Sequence, residues 1–299
     1  MWRMWANSSE ASVDPAVSHA LLRRAPVAGL LALAALVAAC APSASGDVVR
    51  DHAFSVGQSP KLVVESDGGR IDVTAGPPGV IVVQSSIQNP DTLIYEVRRE
   101  GDTIIVTAKQ QPGLRILANV NSPVADIIIT APSTTFIDLT TNNGDVEIKG
   151  MLASGKVVTS NGGITLENVR GNFNGGTTNG EIRINSMVGN ATLETTNGTV
   201  RVERGKGAFD LATKNGTIYF QGELTPGGKN GFLTSNGSIV VKLDANPSLR
   251  VLALAANGSV SSSLPFAAGS SDGNTLSGII GAGEAELVIE AANGSVTLD

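Results

Sequence analysis

The sequence of 299 residues holds one cysteine, Cys40, and two histidines, His19 and His52. A lone sulfur cannot close an internal disulfide, so nothing of that kind staples the fold. The same scarcity excludes cysteine nucleophiles, histidine-based triads and zinc cages, and no metal or cofactor is expected. Aromatics make up 4% of the chain, and both tryptophans, Trp2 and Trp5, fall in residues 1–39. A sugar cleft built on aromatic platforms is therefore not expected. Basic clusters are missing too. Removing residues 1–39 takes three basic and two acidic residues, so 18 − 25 gives a net charge of −7. That balance argues against nucleic acid and against electrostatic docking on anionic lipid. No segment after Cys40 has a helical period.

What is present is a repeat. Asn-Gly recurs at Asn143, Asn161, Asn179, Asn197 and Asn215, each 18 residues from the last. It returns at Asn236 and Asn257, 21 apart, and at Asn293 after a gap of 36. Two residues past each glycine stand Val146, Ile164, Ile182, Val200, Ile218, Ile239, Val260 and Val296, all β-branched. Two further on, apolar residues recur with Ser262 as the exception. Alternation of this kind means a strand with one buried face. A second glycine, at Gly171, Gly189 and Gly207, keeps the beat, so each period reads as two short strands and two corners. Asn-Gly is also the strongest short hairpin signal, and a string of hairpins would give an antiparallel meander. A meander needs no constant period. A fixed one is the signature of a solenoid. The expectation is an all-β solenoid, a single-stranded β-helix of 18–21-residue coils, with the Asn side chains stacked as hydrogen-bonded corner ladders. The 36-residue gap predicts one degenerate coil around Ser277-Gly278, preceded by a protruding loop over 269–274.

Residues 1–39 read as a secretory signal. Arg23-Arg24 precede an apolar run over 27–39 that is too short to span a bilayer and ends on small residues. Val37-Ala38-Ala39-Cys40 resembles the bacterial lipobox. The resemblance implies cleavage before Cys40 and acylation of that residue, giving a membrane-anchored, extracytoplasmic lipoprotein. Residues 40–50 then form the lipidated cysteine and a small-residue tether.

One continuous β-domain is expected over 51–299. Within it, 51–135 is strand-rich but aperiodic, as in Leu62-Val63-Val64-Glu65 and Asp126-Ile127-Ile128-Ile129. It should supply irregular first coils and a cap; 136–299 carries the repeats. Ile129-Thr130-Ala131-Pro132, then Thr141-Asn142-Asn143-Gly144-Asp145-Val146-Glu147-Ile148, then Thr177-Thr178-Asn179-Gly180 and Thr195-Thr196-Asn197-Gly198, resemble the bacterial putative-adhesin family of β-strand-repeat envelope proteins, a domain of unknown function. That motif implies a fold and an address, and transfers no catalytic site.

Three function classes stand side by side. The first is a structural or binding module of the cell envelope. The second is a component of envelope-stress sensing, implied only by family analogy. The third is a polysaccharide-acting enzyme with paired acids, for which Asp145, Glu147, Glu167, Glu181 and Glu194 are the available carboxylates. The thin catalytic vocabulary favours the first. One asymmetry suggests where it would bind. Outward positions that are polar in early coils become Tyr219, Leu233, Val240, Leu252, Leu254 and Val288 in late ones. Exposed apolar patches mean partners, here an envelope protein, a glycan or a second copy. The competing reading has the 269–274 loop folding over this face. Because the chain reaches Asp299 directly on a repeat strand, that strand is expected to be an open end, protected by the loop or by a partner.

Overall fold

The computed structural model of the chain describes residues 47–112, 124–244 and 247–299. The expected signal segment, Cys40 and most of the expected tether lie outside these residues. The described residues form two β-sheets, one of 13 strands and one of 12, packed face to face around a continuous apolar core. Strands that run into Asn-Gly make up the middle of the 13-stranded sheet, the approach sheet. Strands that leave it make up the 12-stranded departure sheet. Asn-Gly is thus a corner between sheets and not a hairpin, and the solenoid reading holds.

Two coils show how the sequence does this. Phe173–Asn179 lies in the approach sheet, and Ile182–Val188 follows in the departure sheet. Both pair in parallel with the strand one period away, Phe173 against Ala191 and Ile182 against Val200. Ile182, Ile184, Val200 and Val202 point inward and are fully buried, whereas Arg183 points out. The corners stack tightly. A Cβ on Gly180 would stand 2.0 Å from the carbonyl oxygen of Gly162, so any larger residue would force the coils apart. The expected ladder forms along the corners. Asn161 Nδ2 donates to Asn143 Oδ1 at 3.0 Å, and the pattern continues through Asn179, Asn197 and Asn215 at 2.8 Å each.

A column of buried threonines, two positions before Asn161, Asn179, Asn197, Asn215 and Asn236, supports those corners from inside. Thr159, Thr177, Thr195, Thr213 and Thr234 donate Oγ1–H to the carbonyls of Gly144, Gly162, Gly180, Gly198 and Gly216 at 2.9–3.1 Å. Each hydroxyl is thereby satisfied without water, as burial requires.

The expectations for the C-terminal gap fail. Ser277-Gly278 is no coil corner. Thr275–Ile280 runs antiparallel to Leu249–Asn257, and Ala268–Ser271 runs antiparallel to it in turn. The 269–274 stretch is therefore the tip of a β-hairpin that extends the approach sheet sideways. It does not cover the outward leucines: Leu252 and Leu254 keep 49% and 38% of their surface exposed. The last coil is not the end of the stack either. Ala285–Asn293 pairs with Lys229–Asn236 on one side and Leu249–Asn257 on the other. Val296–Leu298 likewise lies between Ile239–Leu243 and Val260–Ser262. The chain skips one place, builds the outer coil and hairpin, and returns to fill the gap. Periodicity cannot reveal this, because the inserted coil has the same pattern as one stacked in order.

At the other end too a place is left and filled later: Val124–Pro132 comes to lie between Ile71–Gly76 and Val80–Gln88, both earlier in the chain. Lys61–Ser66 sits between Thr103–Gln110 and Phe136–Asn143. Ile71–Gly76 sits between Val124–Pro132 and Val146–Lys149. Antiparallel strands then finish both sheets: Leu93–Glu100 on one, Val80–Gln88 and Val48–Ser55 on the other. The outermost strands carry Arg50 and Asp51, and Glu96, Arg98, Arg99 and Glu100, charges that discourage edge-to-edge pairing.

Candidate binding surface

Strand register assigns every outward residue of the approach sheet to a row. One row, three positions before Asn, runs Val158, Gly176, Glu194, Ala212, Leu233, Glu290, Leu254. The row beside it runs Asn174, Thr192, Asp210, Gly231, Val288, Leu252. The first row dips where its side chains are small. Gly175-Gly176 stands mid-strand, where the neighbouring coils put Val157-Val158 and Leu193-Glu194. Gly175 has a φ of 152°, and a Cβ on Gly176 would come within 2.1 Å of the Glu194 carbonyl oxygen. Gly176 is the one of the pair in the outward row, and the groove that passes over it has a volume of about 740 Å³. Its walls offer the hydroxyls of Thr178, Thr192 and Thr196, the amide of Asn174, the carboxylates of Glu194 and Asp210, and the ammonium of Lys214. At one end it reaches Leu233.

The structure splits the six predicted surface residues into two groups. Leu233, Val288, Leu252 and Leu254 share the approach sheet's outer face. Val288 stands in register with Leu252, and Glu290 stands between Leu233 and Leu254. Tyr219 and Val240 are neighbours on the departure sheet, which faces the other way. Tyr219 is no bare apolar patch. The Arg201 guanidinium lies 4.6 Å from its ring centroid and the Lys242 ammonium 5.9 Å. Sequence reasoning missed the groove. Its signal was Gly-Gly inside an otherwise alternating strand, which marks a backbone that another chain can approach closely.

The carboxylates are mostly committed elsewhere. On the departure face Arg70 pairs with Asp72 at 2.7 Å and with Glu147, while Lys149 reaches Glu147 at 2.8 Å and Glu167 at 3.6 Å. The hydrogen bond from Lys149, joined by that from Arg70, holds the Glu147 carboxyl below its ordinary range despite partial burial. Asp72 and Glu147 in turn raise the Arg70 guanidinium. Asp145 accepts the amide of Gly163 at 2.7 Å, and Glu181 pairs with Arg183 at 2.9 Å. Glu194 lies on the opposite sheet from these acids. Among the described residues no cluster of three or more His, Cys, Asp or Glu gathers as metal ligands. His52 is half-buried on Val48–Ser55, against Phe54 and Tyr95. Tyr95 shares a 2.6 Å hydrogen bond with Ser85, and burial raises its phenol above the ordinary value.

The family model of the Toastrack DUF4097 domain matches residues 60–299. The chain belongs to that family. The Toastrack domain is one of unknown function, so membership fixes the fold and leaves the ligand open. Among solved structures, a "putative adhesin" from Bacteroides fragilis superposes with a TM-score of 0.50 at 14% identity, covering 84% of this chain and 97% of its own. A second "putative adhesin", from Parabacteroides distasonis, gives 0.46 at 10% identity over 85% and 98%. A "putative lipid binding protein" from the same species gives 0.31 at 15% identity over 84% and 97%. At such identities the first likeness shows the Toastrack fold and nothing finer. These proteins are described as adhesin-like or binding proteins, not as enzymes. No curated protein matches the chain.

Proposed function

We propose that this Toastrack domain is a binding module of a bacterial cell envelope. It is held to a membrane through lipidated Cys40, and it meets a protein or glycan partner with the outer face of its approach sheet. The observation that carries the reading is the continuity of that face: a polar groove floored by Gly176 runs into exposed Leu233, beside Val288, Leu252 and Leu254. Monomeric proteins seldom leave such a patch uncovered without a use for it. The rigid stack beneath gives the patch a fixed shape, which lowers the entropic cost of binding. Anchoring follows from Val37-Ala38-Ala39-Cys40, whose acylation would place the domain outside the cytoplasm.

Two variants test the two halves. Cys40→Ser is expected to move the protein from the membrane fraction to the soluble one, and unchanged fractionation would remove the anchor. Leu252→Lys with Leu254→Lys is expected to abolish self-association, or capture of an envelope protein or glycan, with the melting temperature nearly unchanged. A parent chain that binds neither itself nor envelope material would refute the surface.

A further inference from the structure

We infer that Asn257 is a site of spontaneous covalent modification, left open at the end of a ladder that shields the other corners. In a flexible Asn-Gly pair the glycine nitrogen can reach the Asn side-chain carbonyl carbon, because glycine has no side chain to obstruct the approach. The N–Cγ bond forms, the Asn side-chain nitrogen leaves as ammonia, and a cyclic imide results. Water then opens either carbonyl of the ring, giving aspartate or isoaspartate.

The fold blocks this step along the ladder in two ways. It engages the attacking nitrogen: the amides of Gly144, Gly162, Gly180, Gly198, Gly216 and Gly237 donate to the next Asn carbonyl at 2.8–3.0 Å. It also fixes the leaving amide. Each interior Asn donates Nδ2 to one neighbour and accepts at Oδ1 from the other, as Asn293 does with Asn236 and Asn257, both at 3.0 Å. Two Asn-Gly pairs outside the corners are held too. Asn230 is buried, accepting from the Phe209 amide at 2.8 Å and donating to the Glu286 carbonyl at 2.9 Å. Gly175, after Asn174, lies mid-strand, paired with Val157 and Leu193.

Asn257 is the last rung. It donates Nδ2 to Asn293, but among the described residues no further Asn stacks on its Oδ1. Where a next coil would stand, the hairpin turn takes its place, and that turn engages Ala255 and Val260, the residues on either side of the corner. Gly258 itself is exposed, whereas the glycines of the other seven corners are partly covered. The reaction would place a carboxylate against Asn293 Oδ1, at the joint between the stack and its C-terminal hairpin.

The test is site-resolved peptide mapping of the full chain, folded and in denaturant, during incubation at mildly alkaline pH. In the folded chain Asn257 is expected to convert at least about tenfold faster than Asn174, Asn230 or any other corner Asn, because an end rung opens locally while an interior rung needs its neighbours to open as well. In denaturant all sites are expected to react at similar rates. An interior rung or Asn174 keeping pace with Asn257 in the folded chain would overturn the inference. So would a folded Asn257 that stays intact while the denatured sites convert.

Discussion

From Asn143 to Asn236 each coil docks on the one made just before it, whereas at both ends the chain leaves a place vacant and fills it later. The middle shows what a period alone can build: identical corners, an inward apolar column and an amide ladder, each coil needing only its neighbours. The ends show what a period cannot build. A parallel coil stacked last would present unpaired backbone groups along its whole length. Antiparallel strands finish three of the four sheet ends, the 12-stranded sheet ending instead on parallel Val260–Ser262, and the chain has to travel outward to make them. The coil that fills the vacancy on its return is then held on both faces.

The contrast can be broken by deletion. Removing residues 285–299 takes out the inserted coil, so Leu249–Asn257 loses its parallel partner and Lys229–Asn236 loses its cover. The expected outcome is loss of protected structure from about residue 229 onward, read by hydrogen exchange. Excising residues 180–197, one whole period, joins Asn179 to Gly198 and restores the same corner. That deletion is expected to fold and to lower the melting temperature only modestly. Equal damage from both would mean the middle is not modular.

A smaller effect sharpens the inward and outward assignment within the middle. Ile182→Asp puts a charge in the sealed core and should cost on the order of 4 kcal/mol. Arg183→Asp, one residue on and exposed, should cost less than about 1 kcal/mol despite losing its pair with Glu181. Denaturant titration of the two variants separates them, and similar midpoint shifts would refute the assignment.

The smallest effect compares rungs. Asn197→Ala removes two ladder hydrogen bonds from the middle and should cost about 1–2 kcal/mol, while Asn257→Ala removes one at the end and should cost about 0.5 kcal/mol. Equal costs would show that the ladder shares no strength along its length.

Much of this was legible in the residues. Four successive gaps of 18 could hardly arise without stacking, and the column from Val146 to Ile218 named the inward face. The stacked Asn side chains followed from the same spacing. What stayed hidden depends on which coil touches which. Ala285–Asn293 has the alternation of any approach strand, so nothing local says that it belongs inside Leu249–Asn257. Thr275–Ile280 alternates as well, and a parallel coil strand and an antiparallel cap strand share that pattern. The surface was half legible for a related reason. The apolar drift in late coils was visible, but whether Tyr219 and Leu233 share a face depends on the sheet each strand joins. Gly175-Gly176 carried a signal that periodicity treats as noise.

The returning coil also sets an order in time. As the chain emerges, residues 249–262 appear before the strands they will lie against, residues 285–298. Leu249–Asn257 can pair with its own hairpin strand Thr275–Ile280, but neither can dock on the stack until residues 285–298 arrive, so the outer segment must wait apart while the middle is already stacked. Contacts that span this much sequence form slowly, because the intervening loop must close before they stabilise anything. Completion of the domain is thus registered by its last strand: a nascent or clipped chain lacking Val296–Leu298 would stay unfinished at that end, exposing sheet edges that the finished molecule keeps covered.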